Sequence, residues 1–115
     1  MTVSVPDDPR EIVLDTGVTP KQVVAPPGVN LSRKVHDMTL GNPDAADHSI
    51  SFAKKKGASL YLLDVPQLVP AGQVRTWAGM VDLVAVDESV VAWLETAVAG
   101  PNFPTVLPGI IEVTQ

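Results

Sequence analysis

Two segments alternate between apolar and polar side chains, RKVHDMTL at residues 33–40 and HSISFAK at residues 48–54, and they indicate the fold class. In the first, His36, Met38 and Leu40 share one face, and Val35, Asp37 and Thr39 share the other. In the second, His48, Ile50 and Phe52 alternate with Ser49, Ser51 and Ala53. A repeat of two residues is the side-chain period of a β-strand. Between the segments, Gly41-Asn42-Pro43-Asp44 is a strong turn signal, so the sequence predicts two strands joined by a polar connection.

The rest of the chain contains further short strands. Eleven prolines and eight glycines interrupt it, which leaves little room for long helices. Candidate strands occupy residues 11–15, 20–25, 58–65, 73–77, 89–98 and 109–114, and residues 80–86 form a short apolar stretch. Segment 89–98 could instead be helical, but the β-branched residues at its start favour a strand. About eight short antiparallel strands, repeating every ten residues or so, predict one all-β domain, a jelly-roll-like β-sandwich.

Length and composition fit a single domain of this kind. The chain has 115 residues, of which 45% are hydrophobic and only 4% aromatic, so the core must consist mainly of aliphatic side chains. Residues 1–10 contain Pro6 and Pro9 and show no periodicity, and we predict an extended N-terminal arm there, followed by a sandwich domain at residues 11–115. Because no signal peptide and no apolar run of about 20 residues is present, we expect no membrane span.

The charge and the lack of cysteine exclude several classes of site. The formal net charge is −5, from 13 acidic and 8 basic side chains, so direct binding to nucleic acid is not expected. Without cysteine, disulfides, thiolate metal sites and a cysteine nucleophile are impossible. The main basic cluster, Lys54-Lys55-Lys56 before Gly57, is predicted to be a solvated hairpin tip, with a contact to a polyanion as the alternative.

A histidine and aspartate cluster is the nearest approach to a metal site. If the strands on either side of the Asn42 turn paired, His36 and His48 could approach each other with aspartates nearby. However, the spacing of known zinc motifs is absent. A metal-dependent hydrolase or cupin-like protein using these histidines is therefore the least favoured function, and we predict no bound metal and no cofactor.

Other catalytic arrangements are also weak. Ser49 and Ser51 follow His48 closely, but without the strained turn that presents a nucleophilic serine. The acidic pairs Asp7-Asp8 and Asp87-Glu88 lie in the arm and in a predicted turn, whereas catalytic carboxylates need a rigid and partly desolvated setting. We predict no catalytic residue and no enzymatic activity.

Four side chains are the candidate interface residues, Val3, Val5, Trp77 and Trp93. The valines would anchor the arm if it added as a strand to the edge of a sheet. Each tryptophan is either packed in the core or an anchor at a subunit contact, and together with Tyr61 they are the only residues that could stack on a sugar ring.

Several turns and strands resemble those of one protein family. The segments LVPAGQ at residues 68–73 and VDLVAVDESVVAWLE at 81–95, with Trp77 between them, are similar to small β-sandwich accessory proteins in the virions of tailed bacteriophages, of the minor-tail or head-decoration type. The Leu40-Gly41-Asn42-Pro43 turn and the strands at 49–52 and 60–63 extend the similarity over residues 11–114. The acidic-Ser-Val element at residues 87–90 also matches, but Val86-Asp87-Glu88 stands where the family often has Pro-Gly-Asp before the late strand.

The resemblance implies a structural role. It implies an opening β-hairpin, no catalytic residues, and docking on other virion proteins of the tail or capsid. By analogy alone, we expect a homo-oligomer, with a trimer as the expected state, assembled in the host cytoplasm and located in the virion. The alternative function is a carbohydrate-binding β-sandwich that attaches a particle or an enzyme to a surface.

Overall fold

The computed structural model describes residues 2–5 and 11–114, and every regular element in that part of the chain is a β-strand. The strands are β1 (Thr2–Ser4), β2 (Ile12–Val13), β3 (Lys21–Val24), β4 (Leu31–Gly41), β5 (His48–Lys56), β6 (Ser59–Leu62), β7 (Gln67–Val69), β8 (Val74–Leu83), β9 (Glu88–Leu94) and β10 (Thr105–Thr114). The all-β prediction is confirmed, and segment 89–98 forms a strand over most of its length rather than a helix.

The strands form two antiparallel sheets. In the first sheet, β10 lies between β4 and the two short strands β1 and β2, and β8 follows β4 at the far edge. In the second sheet the order is β3, β9, β5, with β6 and β7 both paired to β5. If β1 is set aside and β6 and β7 count as one strand, eight strands remain. Renumbered from 1 to 8 in chain order, they lie in the order 1-8-3-6 in the first sheet and 2-7-4-5 in the second. This is the arrangement of a jelly roll, as predicted.

The core lies between the inner faces of the two sheets. Its largest fully buried side chains are Phe52 and aliphatic residues from both sheets, namely Leu14, Met38, Leu40, Ile50, Leu83 and Leu94. Each alternates along its strand with a residue on the outer face, except Leu14, which follows β2. The core is therefore aliphatic, as the composition predicts.

A bulge in β4 changes the face of His36. The register between β4 and β8 shifts between Val35 and Asp37, so Val35 and Met38 both point inward and His36 is exposed. The prediction that His36 shares a face with Met38 and Leu40 is therefore wrong. The bulge fits because Gly109 lies opposite Asp37 on β10, where a Cβ atom would come within 2.7 Å of His36 Cε1.

Neighbours in sequence often belong to different sheets. β2 pairs with β10 and β3 pairs with β9, so the opening hairpin implied by the resemblance is not formed. Similarly, β4 and β5 lie in opposite sheets on either side of the Asn42 turn. Residues 73–77 and 80–86 are not separate segments, because β8 runs through Gly79 without interruption.

One edge of each sheet is broken into two short strands. On β10, Thr2 lies opposite Thr114 and Ile12 opposite Val106, so the β1 and β2 side contains two extra residues. On β5, Leu62 lies opposite Ala53 and Val69 opposite His48, again with two extra residues. Short edge strands disfavour pairing with other chains. Residues 1 and 6–10 of the predicted arm lie outside the described residues.

Candidate interaction surfaces and polar clusters

The two histidines do not converge. His36 is exposed on the outer face of the first sheet, 3.3 Å from Asp37, whereas His48 begins β5 in the second sheet and points inward. Their predicted approach is wrong because β4 and β5 do not pair. Among residues 2–5 and 11–114, no group of three or more His, Asp or Glu side chains is placed to hold a metal ion. The acidic pair Asp7-Asp8 lies outside the described residues.

His48 belongs to a polar corner at one end of the sandwich. Its Nε2 lies 2.7 Å from Asp44 Oδ2, and this hydrogen bond lowers the pKa of Asp44. Asn42, which is only 2% exposed, donates from Nδ2 to the carbonyl oxygens of Ala46 and Val69 and accepts the amide of Asp44 at Oδ1. These contacts hold the connection between the sheets in place, so the corner is structural.

The serines beside His48 do not face it. Ser51 lies opposite Trp93 on the outer face of the second sheet, and Ser49 follows the same alternation. The Ser51 hydroxyl donates to the carboxylate of Glu95. A serine, histidine and aspartate triad is therefore not assembled at this position.

Lys54 and Glu88 form an ion pair that the sequence did not reveal. Lys54 Nζ lies 2.7 Å from Glu88 Oε2, and Glu88 is only 3% exposed. The hydrogen bond from Lys54, together with the amides of Val84 and Ala85, lowers the pKa of Glu88 to about 2, although burial alone would raise it. The prediction of solvated turns for these two residues is wrong. Lys55 and Lys56 are exposed at the predicted hairpin, which turns at Gly57 with φ 57°.

Trp77 lies at the side of the sandwich, half-buried between the two sheets. Its ring packs edge-on against Phe52 with centroids 4.8 Å apart, and its Nε1 donates to Asp64 Oδ2 at 3.0 Å. It covers the backbone of Gly79, where a Cβ atom would lie 2.5 Å from Trp77 Cη2. These contacts connect β8 to β5 and to the loop before β7.

Trp93 lies on a different surface, the outer face of the second sheet. It is half-buried, and small residues continue along the face from it, Ser51 and Ala53 on β5 and Val91 and Ser89 on β9. Beyond Val91 the surface forms a depression of about 370 Å³, here called the outer groove, lined mainly by Pro20, Gln22, Lys55, Leu60, Ser89 and Val91. Tyr61 projects from the opposite face of this sheet, opposite Lys54. Trp93 thus shares no face with Tyr61, and Trp77 belongs to the first sheet.

The outer face of the first sheet carries a second depression, here called the Val3 groove. Its volume is about 490 Å³, and it is lined mainly by Val3, Lys34, Asp82, Val84, Ile111 and Val113. Val3 on β1 lies directly opposite Val113, yet it remains 62% exposed, and Val5 is 72% exposed. The two valines predicted as anchors are therefore available on the surface.

Comparison with known proteins gives no identification. No protein-family profile matches the chain, and no curated protein matches it in sequence. Within the described ranges, no helix is long and apolar enough to cross a membrane.

Proposed function

We propose that the chain is a non-enzymatic structural protein of a tailed-bacteriophage virion, an accessory module that docks on the tail or capsid and self-associates. The proposal rests mainly on where large aliphatic side chains are found. Val3, Val84 and the neighbouring residues of the Val3 groove lie on the outer face of a sheet, where they are open to another protein. Exposed apolar groups of this kind are typical of protein–protein contacts.

The polar groups support a structural role in preference to an enzymatic one. Glu88 is engaged by Lys54 and two backbone amides, and His48 by Asp44. Each of these groups fastens a loop or a strand end. A catalytic acid or base must instead be aimed at a space that a substrate can occupy.

The fold is compatible with several functions. Jelly rolls occur in viral capsid proteins, in lectins and in cupins, so the fold alone does not select among them. The sequence resemblance favours the virion. The carbohydrate-binding alternative has less support, because Trp93 and Tyr61 lie on opposite faces of the second sheet, and Trp77 is half-buried and held by Phe52 and Asp64.

Docking is tested by incorporation into particles. A tagged chain produced during growth of the virus that encodes it should co-purify with the virions. Val3→Asp places a charge in the Val3 groove and should reduce incorporation at least tenfold. Val29→Asp, at a position that is 78% exposed on a loop, is the matched control and should incorporate normally. Folding of both variants is checked by circular dichroism.

Two results would contradict the proposal. The first is a tagged chain that is absent from purified particles, and the second is a coding region with no virion genes nearby. If the chain enters particles but Val3→Asp has no effect, the virion role stands and the contribution of the Val3 groove is wrong.

A further inference from the structure

We propose that two copies of the chain pair through the outer faces of their second sheets, with Trp93 of each copy seated in the outer groove of the other. This specifies the self-association within the proposed function. It concerns the purified chain alone, so it can fail or hold independently of docking on a particle.

The face contains both a projection, the outward-pointing Trp93 side chain, and a hollow with a mixed polar and apolar lining. Trp93 is a large side chain at one end of β9, and the outer groove begins two residues away, over Val91 and Ser89. A two-fold axis between Trp93 and Val91, lying in the plane of contact and perpendicular to the strands, reverses the strand direction. It therefore places the Trp93 side chain of each copy above Val91 and Ser89 of the other. Sheets that pack face to face lie about 10 Å apart, a distance that one aromatic side chain can fill.

The charges at the two ends of the face fit the same rotation. Glu95 lies at the Trp93 end. Its backbone amide donates a hydrogen bond to the carbonyl oxygen of Ser49, and its carboxylate accepts one from the Ser51 hydroxyl. Lys55 lies at the groove end, opposite Ser89. Both are exposed. Reversing the strand direction brings Glu95 of one copy to Lys55 of the other, twice over, whereas a parallel arrangement would bring like charges together.

The partner that this complementarity selects is a second copy. An interface around a two-fold axis uses the same patch on both molecules, so one patch must carry the projection, the hollow and both signs of charge. The described face carries all four. Its centre contains a tryptophan and its ends are charged, and tryptophan is enriched at the centre of specific contacts.

Charge reversal gives a sharp test. At about 100 μM the wild-type chain should sediment as a dimer, because this concentration is well above the dissociation constant of a micromolar interface. Lys55→Glu and Glu95→Lys each create two repulsive contacts between the copies. Each should raise the dissociation constant of the dimer roughly 100-fold. Mixing these two variants should restore a dimer, because position 55 of each copy then carries the charge opposite to that at position 95 of its partner. Arg75→Glu, at an exposed position on β8 of the other sheet, is the control and should remain dimeric.

Leu60→Arg at the exposed wall of the outer groove provides an independent variant, and it should also dissociate the dimer. A wild-type monomer or trimer, or a mixture of the two reversed variants that remains monomeric, would overturn the inference. A monomer that still enters particles would leave the docking role on the virion standing, and a dimer that never enters them would do the reverse.

Discussion

Lys54 Nζ lies 2.7 Å from Glu88 Oε2 and 2.8 Å from the backbone oxygen of Asp82, so one ammonium group on the second sheet also reaches the edge strand of the first. The other carboxylate oxygen of Glu88 accepts the amides of Val84 at 2.9 Å and Ala85 at 2.7 Å. A single ion pair thus joins β5, β8 and the connection from β8 to β9.

The stability of the fold should depend strongly on this pair. Glu88→Ala leaves the Lys54 ammonium and two amides without their acceptor, and we expect the free energy of unfolding to fall by about 3 kcal/mol. Urea denaturation measures the change. Asp87→Ala, at the exposed neighbouring position, should change the free energy by less than about 0.5 kcal/mol. Equal losses in the two variants would contradict a specific role for Glu88.

The same pair predicts a pH dependence. The pKa of Glu88 is about 2 in the folded chain, below its ordinary value of 4.5. The ionised carboxylate therefore stabilises the fold fully above pH 4.5, and this contribution is lost as the pH falls from 4.5 towards 2. The difference in free energy of unfolding between wild type and Glu88→Gln should be largest near neutral pH and should shrink over that window. A difference that stays constant with pH would show that Glu88 is not the titrating group.

Gly79 should tolerate no side chain. An added Cβ atom would lie 2.5 Å from Trp77 Cη2, and the indole is fixed by Phe52 and Asp64, so it cannot move freely. Gly79→Ala should lower the free energy of unfolding by about 1–3 kcal/mol and alter tryptophan fluorescence. Ala78→Ser, at the adjacent exposed position of β8, should do neither.

Replacing Asn42 by aspartate should destabilise the fold. In Asn42→Asp, a carboxylate oxygen faces the carbonyl oxygens of Ala46 and Val69 at the position where Nδ2 now donates to both. We expect a loss of about 2–3 kcal/mol at neutral pH, measured by thermal and urea unfolding. Asn102→Asp, which is exposed, is the matched control. A loss no larger than that of the control would mean that the corner rearranges to admit the charge.

The alternation of side chains was enough to predict the fold class, because a period of two specifies faces. It placed Ile50 and Phe52 on one face correctly, and that face is the one that packs in the core. It failed at His36 because the bulge there depends on Gly109, more than seventy residues away in the sequence. Local sequence can indicate that a segment is a strand, but not which strand it pairs with or where one extra residue is accommodated.

Which side chains lie on the surface, and which of them pair, was less predictable from the sequence than the fold class. Trp77 and Trp93 were identified as important, yet nothing local to either distinguishes a residue packed between the sheets from one on an outer face. The ion pair between Lys54 and Glu88 was not predicted, because each residue lies beside other charged residues in the sequence. Only the pairing of β5 with β9 brings the two together. Partners joined across strands are visible once the register is known.

The central position of β10 has a consequence for biosynthesis. It is the last strand in chain order, and it forms the ladder for β1, β2 and β4. Before a ribosome has released residues 105–114, the first sheet lacks its central strand β10. The apolar side chains of the strands already synthesised are then not covered by a complete opposing sheet. Such distant pairings fold slowly, so nascent chains must avoid aggregation during that interval. A nonsense mutation ahead of residue 105 should therefore yield insoluble material rather than a smaller folded sandwich.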